Sequence, residues 1–357
     1  MTRCYRSLRR DAPRTLSLTH PLTHAPAALR RLATRRSILT GILVLGALGL
    51  AVMGLHGIDP AAVGSALTGA DPRWLALAIV MYALSGTLSG AMWVRCQEAG
   101  GVDGVTVGTG LGLHWMSRAA CELLPASLGE GVRVALVRRH PGGRSAGTWR
   151  ITGGLAGYKV LDGIVTAAVV MTIALATPLP GPAAGLRWTA AAVLASGVVV
   201  ALVWRFAGLG RLTRFLPERL LHPGRRLAHG AGVLTDARAA GSASLLGLGS
   251  ILARVVSLGA LLAAFGISPA AAGLTFCVIV IAGILPGAPG GAGARELVLV
   301  PALALAHGVP TGTALAFSLA IQVTALGTSM VIGLLALSLL GTRFGARTAE
   351  QPLPQPA

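Results

Sequence analysis

Six runs of about twenty apolar residues, with arginine gathered at their edges, decide what this chain can fold into. The runs fall at about 38–55, 74–94, 151–177, 187–206, 243–265 and 313–340, and each is long enough to cross a hydrocarbon core as one helix. The rest of the composition agrees: 54% of residues are hydrophobic, 12% are charged and the mean hydropathy is +0.72. That balance excludes an ordinary soluble domain and predicts an all-α polytopic membrane protein. The net charge of +18 would suit a nucleic-acid partner. Its placement argues otherwise, because arginine flanks the apolar runs and aromatics make up only 4% of the chain. The charge is read as topology and as attraction to anionic lipid head groups, with no nucleic acid as partner.

Two further apolar regions, about 105–139 and 270–307, are interrupted by Pro, Gly and charge. The first contains "LPASLGEGVR" at 124–133 and the second "LPGAPGGAGARE" at 285–296. Neither half of either region reaches spanning length, so each is expected to be a re-entrant hairpin. Arginine placement sets the directions. The arm at 1–36 holds nine arginines and is expected to be cytoplasmic and disordered, a juxtamembrane stop of positive charge rather than a cleavable signal. The 56–73 loop has Asp59 and Asp71 against Arg73 and belongs outside. Arg138, Arg139, Arg144 and Arg150 belong inside, as does the 207–240 loop with its six arginines. Leu212, Phe215, Leu216, Leu220 and Leu221 within that loop suggest an interfacial helix. Each half then reads span, span, dip, span, with every direction reversed in the second. That order predicts an inverted-topology repeat of about six full spans plus two re-entrant hairpins. The repeats are expected at 37–180 and 181–342, with a cytoplasmic tail at 343–357.

Irregular backbone at membrane depth must be buried in protein or line a wet cavity. Glycine lets a ligand or helix approach closely, and a helix start favours an anion. "GAGARELVLV" has the form of such a start, which makes Gly290, Gly291, Gly293 and Arg295 candidates for substrate binding. Arg133 in the first broken region and Arg254, midway along its span, join them. Charges inside a membrane are expensive and usually face a cavity or one another. Arg118 and Glu122 are four apart, and Lys159 and Asp162 three apart, spacings that suit internal ion pairs. Glu130, Asp162 and Glu296 are expected to orient the bases or exchange protons. His114, His307 and Gln322 read as structural. The cysteines Cys4, Cys96, Cys121 and Cys277 show no CxxC and no histidine at ligand spacing, so no metal or cofactor is expected. No Asp-rich motif and no Ser–His or Cys–His arrangement points to an intramembrane enzyme.

The motifs "LLPASLGEGVRVALVRR", "KVLD" and "LPGAPGGAGARE" followed by "GVPTGTALAFSLAIQ" resemble the lysylphosphatidylglycerol synthase transmembrane region family, over about 35–342. The usual form of its second motif is closer to Pro-Gly-Gly-Leu-Gly-Val-Arg-Glu. Pro289, Gly290, Gly291, Gly293, Arg295 and Glu296 match it, while Ala292 and Ala294 replace larger apolar residues. Tyr158–Lys159 stands where a Glu-Arg pair is common, which weakens the carry-over there. The resemblance implies lipid translocation or handling of a lipid-linked substrate. Only 17 residues follow the last run, too few for an aminoacyl-transfer domain, so lysyl transfer is not expected.

These readings converge on a flippase-like protein of the cytoplasmic membrane, both termini cytoplasmic, that moves or presents an anionic lipid. Arg133 and Arg295 are expected to hold the head group, with Arg254 in support. The alternative is a non-transporting scaffold that presents lipid to a hopanoid or glycolipid biosynthetic enzyme.

Overall fold

The structure, a computed structural model, describes residues 60–123, 126–176, 188, 191–192, 195–199, 218–282 and 293–349. Every regular element among them is helical. We number the helices α1 Pro60–Thr68, α2 Pro72–Ala99, α3 Val107–Leu123, α4 Ala126–Arg139, α5 Pro141–Ala146, α6 Thr148–Ala176, α7 Glu218–Gly230, α8 Ala237–Ala264, α9 Ala272–Ala282, α10 Ala294–His307 and α11 Thr311–Ala349.

Four helices are long and apolar enough to cross a membrane: α2, α6, α8 and residues Thr311–Leu340 of α11. A 28-residue helix is about 42 Å long, ample for a core of about 30 Å. Their outward faces expose Val80, Leu245, Val256, Val323 and Leu334, a surface that suits lipid and not water. The chain is therefore a multi-pass membrane protein. Four of the six expected spans are these helices; the runs at 38–55 and most of 187–206 lie outside the described residues, as do the arm at 1–36 and the end of the tail. Part of the arginine-rich loop is the helix α7, which packs on the start of α6: a Cβ at Gly153 would lie within 1.9 Å of the Leu227 carbonyl.

The two longest-paired spans are built alike. Both α2 and α8 have 28 residues, and each is capped by an aspartate in an Asp-x-Arg start. Asp71 accepts from the Arg73 amide at 2.8 Å and Asp236 from the Arg238 amide at 2.9 Å. The helices run antiparallel in a seven-residue register. The Asp71 amide donates to the Ala264 carbonyl (3.0 Å), and Ser257 Oγ to the Ala78 carbonyl (2.7 Å). One register step further on the hydroxyls of Ser85 and Ser250 meet at 3.2 Å, and Ser250 also donates to the Ser85 carbonyl at 2.8 Å. Small residues at this seam let two backbones approach, and the hydroxyls satisfy their own bonding inside the bundle.

Each interrupted region is a pair of shorter helices, α3 with α4 and α9 with α10. At 17, 14, 11 and 14 residues, they measure about 25, 21, 17 and 21 Å, too short to span singly. The break in the first lies at 124–125, and that in the second within 283–292, both outside the described residues. Val137, near the end of α4, shares a buried cluster with Val102 and Val105, which precede α3. Leu303 and Val309, at the end of α10, share one with Ile267 and Ala271, which precede α9. In both pairs the two outer ends come together. The pairs also pack on the far half of the chain. A Cβ added at Gly333 of α11 would meet Ala119 Cβ at 2.9 Å on α3, and one at Gly273 of α9 would meet Ile173 of α6 at 3.0 Å.

Candidate functional site

Two clusters of charge draw on residues in the interior of α2, α6 and α8, away from the helix ends. The first is made by α2, α3, α4 and α6. Arg133 on α4 is only 5% exposed. Its Nε donates to Ser117 Oγ at 3.0 Å, and Ser117 in turn donates to the His114 carbonyl at 2.7 Å. The guanidinium lies 3.3 Å from the Glu130 carboxylate and about 6 Å over the rings of Trp93 and Tyr158. Glu130 also pairs with Lys159 of α6 at 2.6 Å. Tyr158 closes the cluster by bonding Ser89 at 2.9 Å. Asp162, one turn along α6, lies within electrostatic reach of Lys159, Arg254, Arg118 and Arg133. His114 is fully buried between Trp93 and Trp115, with ring centroids 6.1 and 6.4 Å away.

The second cluster draws on both halves of the chain and centres on Tyr82 of α2, itself 7% exposed. Arg118 of α3 donates to its hydroxyl at 2.7 Å and sits 5.1 Å from the ring centroid. Arg254 of α8 lies 5.7 Å from the same ring. Arg295, at the start of α10 and 8% exposed, is within reach of Glu296, Glu122, Tyr82 and Arg254. Two guanidiniums from two helices thus meet at one tyrosine, with a third, Arg295, within electrostatic reach and Glu122 as the acid that reaches Tyr82, Arg118 and Arg295. A guanidinium over an aromatic face in a desolvated setting is held by the ring quadrupole while its N–H groups remain directed elsewhere. Planar forks of this kind match phosphate and carboxylate oxygens.

The direct bonds differ from the expected pairings. Arg118 bonds Tyr82, with Glu122 within electrostatic reach, and Lys159 bonds Glu130, with Asp162 within electrostatic reach. Spacings of three and four see only one helix, whereas these partners come from its neighbours. Arg133 belongs with Glu130 and Ser117, and Arg295 with Tyr82 and Arg254, so the two arginines expected to act together fall in different clusters. Glu296 turns back as a cap: one oxygen accepts the Gly293 amide at 2.7 Å and the other the Ser318 hydroxyl at 2.9 Å. Gly293 has φ 83° and ψ −56°, which a side chain would not tolerate, and the helix starts where the Gly-Ala-Arg-Glu motif indicated. Gly290 and Gly291 lie outside the described residues.

Tyr82, Ser117 and Ser318 were not singled out by the sequence, and Tyr158 entered only as a departure from the family's motif. A signal was present for the tyrosines. Tyrosine prefers the membrane interface, and one at mid-span needs a polar partner.

The fold and these clusters define a polytopic α-helical membrane protein with a charged interior. The model of the lysylphosphatidylglycerol synthase TM region family matches residues 38–333, and the chain belongs to that family. No curated protein sequence matches it.

Proposed function

We propose that this protein is a flippase-like, non-enzymatic membrane protein that translocates or presents an anionic lipid or lipid-linked substrate, with the head group held by Arg118, Arg254 and Arg295 around Tyr82. One observation carries the reading: inside the bundle Arg118 of α3 bonds one buried tyrosine and Arg254 of α8 lies over its ring, with Arg295 of α10 within electrostatic reach, and charge in a membrane interior usually serves a partner or a ligand. The family supports it, being named for the membrane region of a synthase whose product is a lipid. The Arg133–Glu130–Lys159 cluster acts as the internal lock of α4 against α3 and α6.

The chain is read as two inverted repeats, 37–180 and 181–342, in the cytoplasmic membrane with both termini inside. In each repeat the short helix pair is a re-entrant hairpin. The antiparallel, equally capped α2 and α8 support that reading, since Ser85 and Ser250 each stand fourteen residues after their capping aspartate and touch one another. A contact between equivalent residues is what a two-fold axis in the membrane plane would produce.

The test is reconstitution in vesicles containing head-group-labelled phosphatidylglycerol, with a membrane-impermeant quencher outside. Label that becomes accessible at a protein-dependent rate, slowed about tenfold or more by Arg254→Gln, is the expected result. Binding of the lipid without transbilayer movement would replace transport by the scaffold reading.

A further inference from the structure

A groove of about 560 Å³ separates α4 from the start of α6, lined by Gly131, Val134, Ala135, Arg138, Arg139, Arg144 and Thr148. Its wall on α4 is one stripe, Gly131, Val134, Ala135 and Arg138, at the three-and-four spacing of a single helix face. The three arginines are exposed, and among the described residues none forms an ion pair. No acid lines the groove. Like charges gathered in a concave surface without a counter-charge repel one another and raise the local concentration of anions.

The helices place the groove at the membrane surface. The end of α2 meets the start of α6, with Gln97 Nε2 donating to the Ile151 carbonyl at 3.2 Å and Arg150 to the Gly101 carbonyl at 3.3 Å. Arg95, Arg138, Arg139, Arg144 and Arg150 therefore share one end of the bundle, and the exposed Trp149 stands at the same level, next to Thr148. Tryptophan and arginine together mark an interface. Along the antiparallel α4 and α6 the groove runs from Thr148 and the arginines to Gly131, and the Lys159–Glu130 pair, 2.6 Å apart, joins the same two helices next to Gly131. Its lining passes from the arginines and Thr148 to Val134, Ala135 and Gly131, polar then apolar, the order in which a phospholipid changes from head group towards its acyl chains.

We propose that this groove binds the phosphate of an anionic phospholipid drawn sideways from the adjoining leaflet, with Arg138, Arg139 and Arg144 as its ligands. The site is separate from the Tyr82 cluster and does not depend on whether lipid crosses the membrane.

The experiment is native mass spectrometry of the full-length protein in detergent, titrated with phosphatidylglycerol, phosphatidylcholine or inorganic phosphate. Wild type should prefer phosphatidylglycerol to phosphatidylcholine by about tenfold or more, and the triple variant R138Q/R139Q/R144Q should lose that preference. A control triple variant, R95Q/R225Q/R238Q, removes the same charge from exposed positions outside the groove and should keep it. Gly131→Leu fills the groove with all arginines in place; a Cβ there meets nothing within 4 Å, so the helix is expected to form and lipid binding to fall. Equal loss in both triple variants would make the preference a matter of total charge and overturn the site. Unchanged binding in Gly131→Leu would overturn the groove as its place. Saturable binding of inorganic phosphate that phosphatidylglycerol does not displace would overturn the lipid as occupant.

Discussion

Arg133 and Lys159 share one carboxylate, yet they are expected to respond very differently to removal. Arg133 is buried, bonded to Ser117 and 3.3 Å from Glu130, so Arg133→Ala leaves a hydroxyl and part of an acid without their partner inside the protein. Truncating one member of a buried pair costs about 3 kcal/mol or more. The side chain of Lys159 is 53% exposed, and an exposed pair contributes at most about 1 kcal/mol. Thermal unfolding in detergent should therefore fall clearly for Arg133→Ala and hardly for Lys159→Ala; the reverse order would mean that Lys159 holds the cluster. Tyr82→Phe is a milder probe. It removes the acceptor of Arg118 at 2.7 Å but keeps the ring beneath Arg254. It should weaken lipid binding at the central site by about tenfold, the scale of one charge-assisted bond, while Tyr82→Ala should weaken it further. The arginines and acids were legible as single residues because a charge in an apolar run is conspicuous. Their partners were not, since Tyr82 meets Arg118 and Lys159 meets Glu130 only after separate helices have packed.

Helix boundaries show what hydropathy can and cannot see. The apolar run at about 243–265 became a helix beginning at Ala237, because Asp236 caps its first amides and Ala-Arg-Ala-Ala extends it by propensity without adding apolar surface. The start of α10 was legible to within a few residues of "GAGARELVLV"; the structure fixes it at Gly293, whose conformation suits only glycine, with Glu296 three places on reaching back to the cap. Gly293→Ala should cost about 1–3 kcal/mol through backbone strain alone and lower the unfolding temperature without touching any charged group. If lipid binding fell further than stability, the strained turn itself would be part of the site. At Gly333 the constraint is contact: a side chain there would strike Ala119 and the backbone of Trp115, so Gly333→Leu should separate α11 from α3.

For the whole molecule, the placement of arginine led to the expectation of a reversed order of spans and breaks, and the support for relating the halves comes from the α2–α8 seam. The charges mark only which end of each helix faces which side; the seven-residue register depends on Ala78, Ser85, Ser250 and Ser257, whose smallness carries no directional signal in sequence. The inverted-repeat reading makes a mechanical prediction from that register. If the halves exchange conformations about an axis through Ser85 and Ser250, that contact is the same in the inward-open and outward-open states. The Asp71–Ala264 contact lies at one end of the seam and is not on the axis. In a background with the native cysteines replaced, the pair Ser85→Cys and Ser250→Cys stands close enough to oxidise, since the hydroxyls are 3.2 Å apart. Oxidation there should leave lipid movement essentially intact, whereas oxidation of Asp71→Cys with Ala264→Cys should stop it until a reductant is added. Inhibition by both cross-links would place the moving boundary along the seam itself, and inhibition by neither would make α2 and α8 one rigid unit around which the short helix pairs move.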